Sequence, residues 1–231
     1  MLITGMATEG RSLSGPRGTC YNLGMSSLKI AIVDYQAGNL RSVTKALEKV
    51  GVEPLVTNSA EDILNADALV FPGQGSCDGA MKALKERDLV SPITAFVQQG
   101  KPFLGVCLGL QLLLERSEEG KEPCLGVYKG TVKGLPKGLK VPHMGWNQVD
   151  FHSDHPVLKD VPKGSYFYFV HSYYADPEDK DLIAGTTCYG VPFCSVVADG
   201  NLVATQFHPE KSGTIGLSVY ENFVRFAMEQ R

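Results

Sequence analysis

Residues 102–106 read as an apolar strand, Pro-Phe-Leu-Gly-Val, which runs straight into Cys107 and then into a helical pattern over 108–116 with no loop between them. A junction that tight restricts the fold sharply. The chain must turn from strand to helix within a residue or two, and side chains flanking the turn would clash with it. Glycines stand on both sides, in Gly105-Val106-Cys107-Leu108-Gly109.

The same alternation of strand and helix runs through the first half of the chain. Residues 28–34, Leu-Lys-Ile-Ala-Ile-Val-Asp, are a β-branched run of the kind found in buried parallel strands. Asn39 is placed to cap a helix whose apolar positions are Leu40, Val43, Leu47 and Val50, stopped by Gly51. Short strands are expected at 53–57 and 68–71, helices at 80–86 and 90–99. The pattern predicts one α/β domain: an open, mixed, mainly parallel sheet with helices on both faces, flavodoxin-like in its winding. The second half is richer in strands, expected at 131–132, 146–151, 165–173, 182–188, 193–198 and 202–207, with a hairpin turn at 198–201 and a last helix over 215–229.

Composition narrows the functional classes. Among 231 residues, 20% are charged and 43% apolar, with a formal net charge of −3, so neither a nucleic-acid nor a polyanion partner is indicated. No apolar stretch approaches the roughly 20 residues that span a bilayer. The six cysteines form no C-x-x-C pair and no zinc spacing, which implies free thiols in a reducing cytoplasm and neither metal nor cofactor. Apart from Cys107, they read as small buried hydrophobes. Residues 1–24 have no hydrophobic period and no secretory core. They read as a disordered extension or as sequence upstream of a true start at Met25; a transit-like segment fits less well for want of an amphipathic pattern.

Cys107 is the first candidate for chemistry. At the head of a helix its thiolate is favoured by free N–H groups, and the N–H of Leu108 can meet a developing oxyanion. The same motif also fits a structural cysteine between two packing glycines. A thiolate needs a proton-transfer partner, and of five histidines His208 is best placed, in Gln206-Phe207-His208-Pro209-Glu210 just past a strand. Glu210 can fix the ring's tautomer and stabilise its cation. The loop Pro72-Gly73-Gln74-Gly75 ends another strand; its glycines let backbone N–H groups approach a substrate oxygen, although an ordinary turn would look the same.

Gly105-Val106-Cys107-Leu108-Gly109-Leu110-Gln111, with Gln206-Phe207-His208-Pro209-Glu210 downstream, resembles the class I (triad) glutamine amidotransferases. Within them, Asp34-Tyr35-Gln36-Ala37-Gly38-Asn39-Leu40-Arg41-Ser42, Pro142-His143-Met144-Gly145-Trp146-Asn147, Phe169-Val170-His171-Ser172-Tyr173 and Lys211-Ser212 are similar to glutaminase subunits of imidazole glycerol phosphate synthases. The resemblance covers residues 28–231 and implies one glutamine amidotransferase domain over 25–231. It implies that Cys107 attacks the side-chain carboxamide of L-glutamine, that His208 moves the proton and that Glu210 orients His208. Gly73, Gln74, Gly75 and Leu108 would form the oxyanion hole, and Gln111, Ser172, Tyr173 and the Gly73 loop would hold glutamine. Ammonia would pass to a cyclase subunit with a (β/α)8 barrel in a heterodimer for histidine biosynthesis, docked through Asn39, Met144 and Trp146.

The family's loop usually reads Pro-Gly-Val-Gly, so Gln74 is a departure, and gating of the loop by the loaded cyclase is expected to survive because both glycines remain. Trp146, the one tryptophan, also fits a core position. His143 and His171 lie in family-like segments without evident chemistry; His152 and His155 read as exposed loop residues. Rival readings are a triad glutaminase serving another synthase, a stand-alone γ-glutamyl hydrolase and a non-catalytic binding module.

Overall fold

The computed structural model describes residues 28–36 and 38–231, so the expected extension over residues 1–24 lies outside it. Five parallel strands form the centre of the main sheet, in the order β2 (Leu55–Thr57), β1 (Ile30–Val33), β3 (Ala68–Gly73), β4 (Phe103–Cys107) and β13 (Leu202–Thr205). Beyond β13 the sheet turns antiparallel through β12 (Val191–Asp199), β10 (Tyr173–Pro177) and β6 (Gly130–Gly134), with β5 (Arg116–Ser117) parallel to β6 at the edge. The expected hairpin is the two-residue turn Gly200-Asn201, since Asp199 pairs with Leu202 and Gly200 takes a φ of 54°.

The central strands are apolar on both faces because both are covered. Ile30 and Ile32 of β1 face a core with α1 (Leu40–Lys49) and α6 (Gly213–Glu229), to which Val43, Leu47, Val219 and Phe223 contribute. Ala31 and Val33, one residue out of phase, face α2 (Ala60–Asn65), α3 (Cys77–Glu86) and α4 (Val90–Gln98), through Ile63, Met81, Leu84, Ile93 and Phe96. Each fully buried Leu, Ile or Phe contributes roughly 1.5–3 kcal/mol, and the pleat's two-residue period directs that burial to alternate layers.

The structure departs from the expected elements at instructive points. The helix after Cys107 is short: α5 is Leu108–Gln111, after which i−3 bonds from Leu113 and Leu114 tighten the chain into turns. Leu110, Leu112, Leu113 and Leu114 are all fully buried, and such a run carries no period that separates helix from turn. The strand expected over 146–151 is two: β7 (His143–Gln148) pairs with β9 (Tyr166–His171) in a separate two-stranded sheet, whereas β8 (Asp150–Phe151) joins β11 (Ile183–Tyr189), itself paired with β12. Buried Val149 carries the chain between sheets. Ser172 does the same between β9 and β10, dividing the strand expected over 165–173. Helix α2 was not expected; Ser59 caps it by accepting from the Asp62 N–H. Asn39 precedes α1 in the left-handed region, φ 78°, and its side chain makes no capping bond. Cys188 is exposed, against the expectation for the non-elbow cysteines.

The strand-to-helix junction at Cys107 is closely packed on both sides. A Cβ on Gly109 would stand 1.9 Å from the Phe71 carbonyl oxygen, and one on Gly105 2.8 Å from Ala204 Cβ. Backbone against backbone cannot yield without separating α5 from β3. Gly109→Ala is therefore expected to cost roughly 3 kcal/mol or more in denaturant unfolding; a loss under about 0.5 kcal/mol would contradict this packing.

Candidate active site

Cys107 ends β4 with φ 55° and ψ −104°, a backbone conformation that L residues rarely adopt. It pairs in register with Gly73 at the end of β3, and Val106 pairs with Thr205 at the end of β13. The carboxyl ends of three adjacent parallel strands thus converge on one spot, where open α/β sheets form their crevices. Cys107 is 6% exposed. Its sulfur lies 3.6 Å from Gln206 Nε2 and 3.9 Å from the Val170 carbonyl. Leu108 opens α5, so its N–H has no partner four residues back within the helix.

His208 follows β13. Its backbone is clamped: its N–H donates to the Tyr168 carbonyl at 2.9 Å, and its carbonyl accepts from the Ser212 hydroxyl at 2.6 Å. Ser212 Oγ also accepts from the Tyr168 N–H, tying the His208 segment to β9. His208 Nδ1 meets Glu210 Oε1 at 2.7 Å, with the two side chains 1% and 0% exposed. Glu210 Oε1 also accepts from Asn39 Nδ2, and Oε2 accepts from the Tyr220 hydroxyl at 3.4 Å. His208 Nε2 makes no hydrogen bond with any described residue. Burial alone would lower the imidazole's pKa, but the Cys107 sulfur and the Glu210 carboxylate outweigh it and raise the value to about 10. The ring is therefore a cation at neutral pH, held between a carboxylate and a sulfur.

A cavity of about 340 Å³ opens over these groups, lined by Cys107, His208, Leu108, Gln111, Ser172 and Tyr173, with Gln74 and Gly75 at its edge. Gly73 lies within the strand behind them. A Cβ there would stand 2.1 Å from the Tyr35 hydroxyl, which donates to the Pro72 carbonyl at 3.0 Å. Gly75 takes φ 95° with no described residue near its Cβ position. Gln74 turns its carboxamide oxygen to within 3.1 Å of where a Gly38 Cβ would be. Gln111 is buried, and its Nε2 donates to the Tyr173 carbonyl at 2.7 Å and to Gln206 Oε1 at 3.0 Å.

The sequence-predicted residues therefore divide. Cys107, His208, Glu210, Leu108, Gly73, Gln74, Gly75, Gln111, Ser172 and Tyr173 gather at one place. Met144 and Trp146 do not line the cavity; they stand 61% and 54% exposed on β7, so Trp146 is not a core residue. Asn39, expected at a docking face, has its side chain on Glu210. Of the two histidines read as loop residues, His152 is exposed, but His155 is half-buried, capping the turn at Pro156–Leu158 and reaching the Gly200 carbonyl. Gln206 was missed as a neighbour of the sulfur. It lies one residue past β13, inside the Gln206-Phe207-His208-Pro209-Glu210 segment, but no period marks which of those side chains turns to the sulfur. The Asn39–Glu210 contact spans 171 residues of sequence and has no local signature.

The glutamine amidotransferase class-I family matches residues 31–226. The imidazole glycerol phosphate synthase subunit HisH of Thermosynechococcus vestitus is 51% identical over 204 residues, covering 87% of this chain and 98% of the relative. The subunit of the same name from Dehalococcoides mccartyi is 48% identical over 200 residues, covering 86% and 98%. Among solved structures, the glutaminase domain of Trypanosoma brucei CTPS with bound acivicin superposes with a TM-score of 0.66 at 16% identity, covering 88% of this chain and 94% of that one. PurLQS from Thermotoga maritima gives 0.66 at 18%, covering 87% and 97%. These last two likenesses speak for the fold alone.

The charge arrangement yields a direct prediction. Sulfur and carboxylate both favour the imidazolium, so removing either moves the His208 midpoint down. In Cys107→Ser the midpoint, followed by ring-proton NMR, is expected to fall by at least about one unit; an unchanged midpoint would mean the sulfur carries no charge toward the ring.

Proposed function

The chain belongs to the glutamine amidotransferase class-I family, and we propose that it is the glutaminase subunit of an imidazole glycerol phosphate synthase, releasing ammonia from L-glutamine for a cyclase partner. The observation that carries this is the meeting of a strained cysteine at a strand end with a buried His–Glu pair just past the end of the adjacent strand, beside a cavity of about 340 Å³.

In this reading the Cys107 thiolate attacks the side-chain carbonyl carbon of glutamine. The carbonyl π electrons move to oxygen, and the oxyanion is held by the Leu108 N–H and by a peptide N–H of the Gly73-Gln74-Gly75 loop. Each such donor is worth roughly 3–4 kcal/mol of barrier. His208 gives its Nε2 proton to the departing nitrogen, the C–N bond breaks and ammonia leaves. Neutral His208 then takes a proton from water, which attacks the γ-glutamyl thioester, and glutamate departs as the thiolate reforms. Glu210 holds His208 through Nδ1, leaving Nε2 free for both transfers, and Asn39 and Tyr220 hold Glu210. Gln111, Ser172 and Tyr173 form the wall against which the amino-acid end of glutamine is positioned.

Ammonia is best delivered within a complex, since bulk water would protonate and dilute it. We assign the docking surface to the exposed face of β7 and β9, where Met144, Trp146 and Tyr166 stand together, as large apolar and aromatic anchors do at interfaces. The partner is read as a (β/α)8-barrel cyclase in a heterodimer, and the setting as the cytoplasm, where the thiol stays reduced. The Gly73 loop is read as gated: Gly73 and Gly75 permit its peptides to turn when the cyclase is loaded, and Gln74, resting against Gly38, is released in that turn.

Glutamine hydrolysis is expected to be slow for the chain alone, to rise when a cyclase subunit and its phosphoribulosyl aminoimidazole carboxamide substrate are present, and to drop by at least roughly 10³-fold in Cys107→Ser. Steady hydrolysis indifferent to the cyclase would favour a stand-alone hydrolase. Stimulation by a different synthase would replace the partner and leave the chemistry in place.

A further inference from the structure

His143 and His171 are buried, and nothing in the reaction above uses them. They lie directly opposite each other on β7 and β9. His143 Nδ1 meets His171 Nε2 at 2.9 Å, and His171 Nδ1 meets the Tyr173 carbonyl at 2.9 Å. A carbonyl only accepts, so His171 Nδ1 carries a proton and donates it. Burial, opposed by that bond to Tyr173 and reinforced by His143 and His208, lowers His171 to about 3; burial lowers His143 too. Both rings are neutral at physiological pH. His171 Nε2 is then an acceptor, His143 Nδ1 must be its donor, and His143 Nε2 is left to accept from Asn147 Nδ2 at 3.3 Å. The second proton of that amide goes to the Cys188 carbonyl at 2.9 Å, and Asn147 Oδ1 accepts from the Gln148 N–H. One tautomer assignment satisfies every group in the string.

The string does not end at Tyr173. That carbonyl also accepts from Gln111 Nε2 at 2.7 Å, so two donors converge on it and fix the peptide between them. The other N–H of Gln111 goes to Gln206 Oε1, which leaves Gln206 Nε2, and not its oxygen, facing Cys107. The orientation of that amide matters. An N–H toward the sulfur stabilises the thiolate, whereas a carbonyl oxygen there would repel it. At the far end, Asn147 and His143 sit on β7, the strand whose other face presents Met144 and Trp146.

We propose that His143 and His171 are positioning residues for glutamine hydrolysis: together with Asn147 they form a one-way hydrogen-bond string that holds the Tyr173 carbonyl, through it the Gln111 and Gln206 amides, and so the N–H that faces the Cys107 sulfur. The string makes strand β7 part of the site's geometry, so a partner seated on Met144 and Trp146 bears on a strand that the thiolate's hydrogen-bond donor depends on. This inference rests on the reading of Cys107 as the nucleophile of a glutaminase.

The test compares His171→Leu, which removes both bonds, with His171→Asn, whose Nδ2 occupies roughly the place of Nδ1 and can still reach Tyr173. Two readouts are taken on the full chain: the pH midpoint of Cys107 alkylation by iodoacetamide, read at the Cys107 peptide by mass spectrometry, and kcat and KM for glutamine in the complex with the cyclase and its substrate. His171→Leu is expected to raise the midpoint by about one unit and lower kcat on the order of tenfold with KM within about twofold. His171→Asn is expected to recover most of both. A wild-type midpoint and kcat in His171→Leu would overturn the inference, as would His171→Asn performing no better than His171→Leu at equal thermal stability. If His171→Leu does not fold, His143→Phe keeps the stacking of the ring on Tyr189 and Phe169 but removes the donor to His171; it is expected to raise the midpoint by a smaller amount, and an unshifted midpoint would overturn the inference. Absence of glutamine turnover by the wild-type complex would break the underlying reading, not the string, which the alkylation midpoint tests without turnover.

Discussion

The site depends on one backbone conformation, the turn of Cys107 at φ 55° between a buried strand and the short helix that follows. Such a conformation costs on the order of 1–3 kcal/mol and persists only where its surroundings over-determine it. Here they do so on both sides. Gly73 and Thr205, in the neighbouring strands, pin the end of β4 in register, and the missing side chains of Gly105 and Gly109 let α5 lie against the Phe71 carbonyl. The strain lifts the sulfur to the sheet's edge, where His208, three residues past the end of β13, also arrives.

A cysteine in that position becomes reactive only through its electrostatic surroundings. Burial works against the charge on His208, and Cys107 and Glu210 together reverse that effect. Glu210 is itself a fully buried carboxylate, a costly group unless its lone pairs are taken, and His208, Asn39 and Tyr220 take them. Asn39 therefore links the loop after β1 to the His208-Pro209-Glu210 segment by direct contact, which no sequence spacing announces. On the other side of the sulfur, the Gln206–Gln111–Tyr173 bonds supply donors without charge. The nucleophile thus sits between a charged network just past β13 and a neutral one that runs through Tyr173 to the histidines of the two-stranded sheet.

Much of this was legible in the sequence because it is local. The strands β1, β3, β4 and β13 are continuous apolar runs, and the chemistry of Cys107, His208 and Glu210 lies within two short segments with clear geometric roles. The length of α5 was not legible, since a run of buried leucines shows no face. Nor was the transfer of the chain between sheets at Val149 and Ser172, because a strand's two-residue period is the same whichever sheet it joins. The six-residue α2 is too short to show a helical period and announces itself only through the Ser59 cap. The roles of Asn39, Gln206, His143 and His171 became visible only when distant residues met: the Asn39–Glu210 pair is separated by 171 residues and the His143–His171 pair by 28.

The central claim is that Cys107, and no other cysteine, accepts the glutamyl group of glutamine. Acid quenching of the complex during turnover, followed by peptide mass spectrometry, tests it most directly. A γ-glutamyl thioester on the Cys107 peptide, absent without glutamine and absent in Cys107→Ser, is the predicted result. Turnover with no acyl adduct on Cys107, or an adduct on any of the other five cysteines instead, would contradict it.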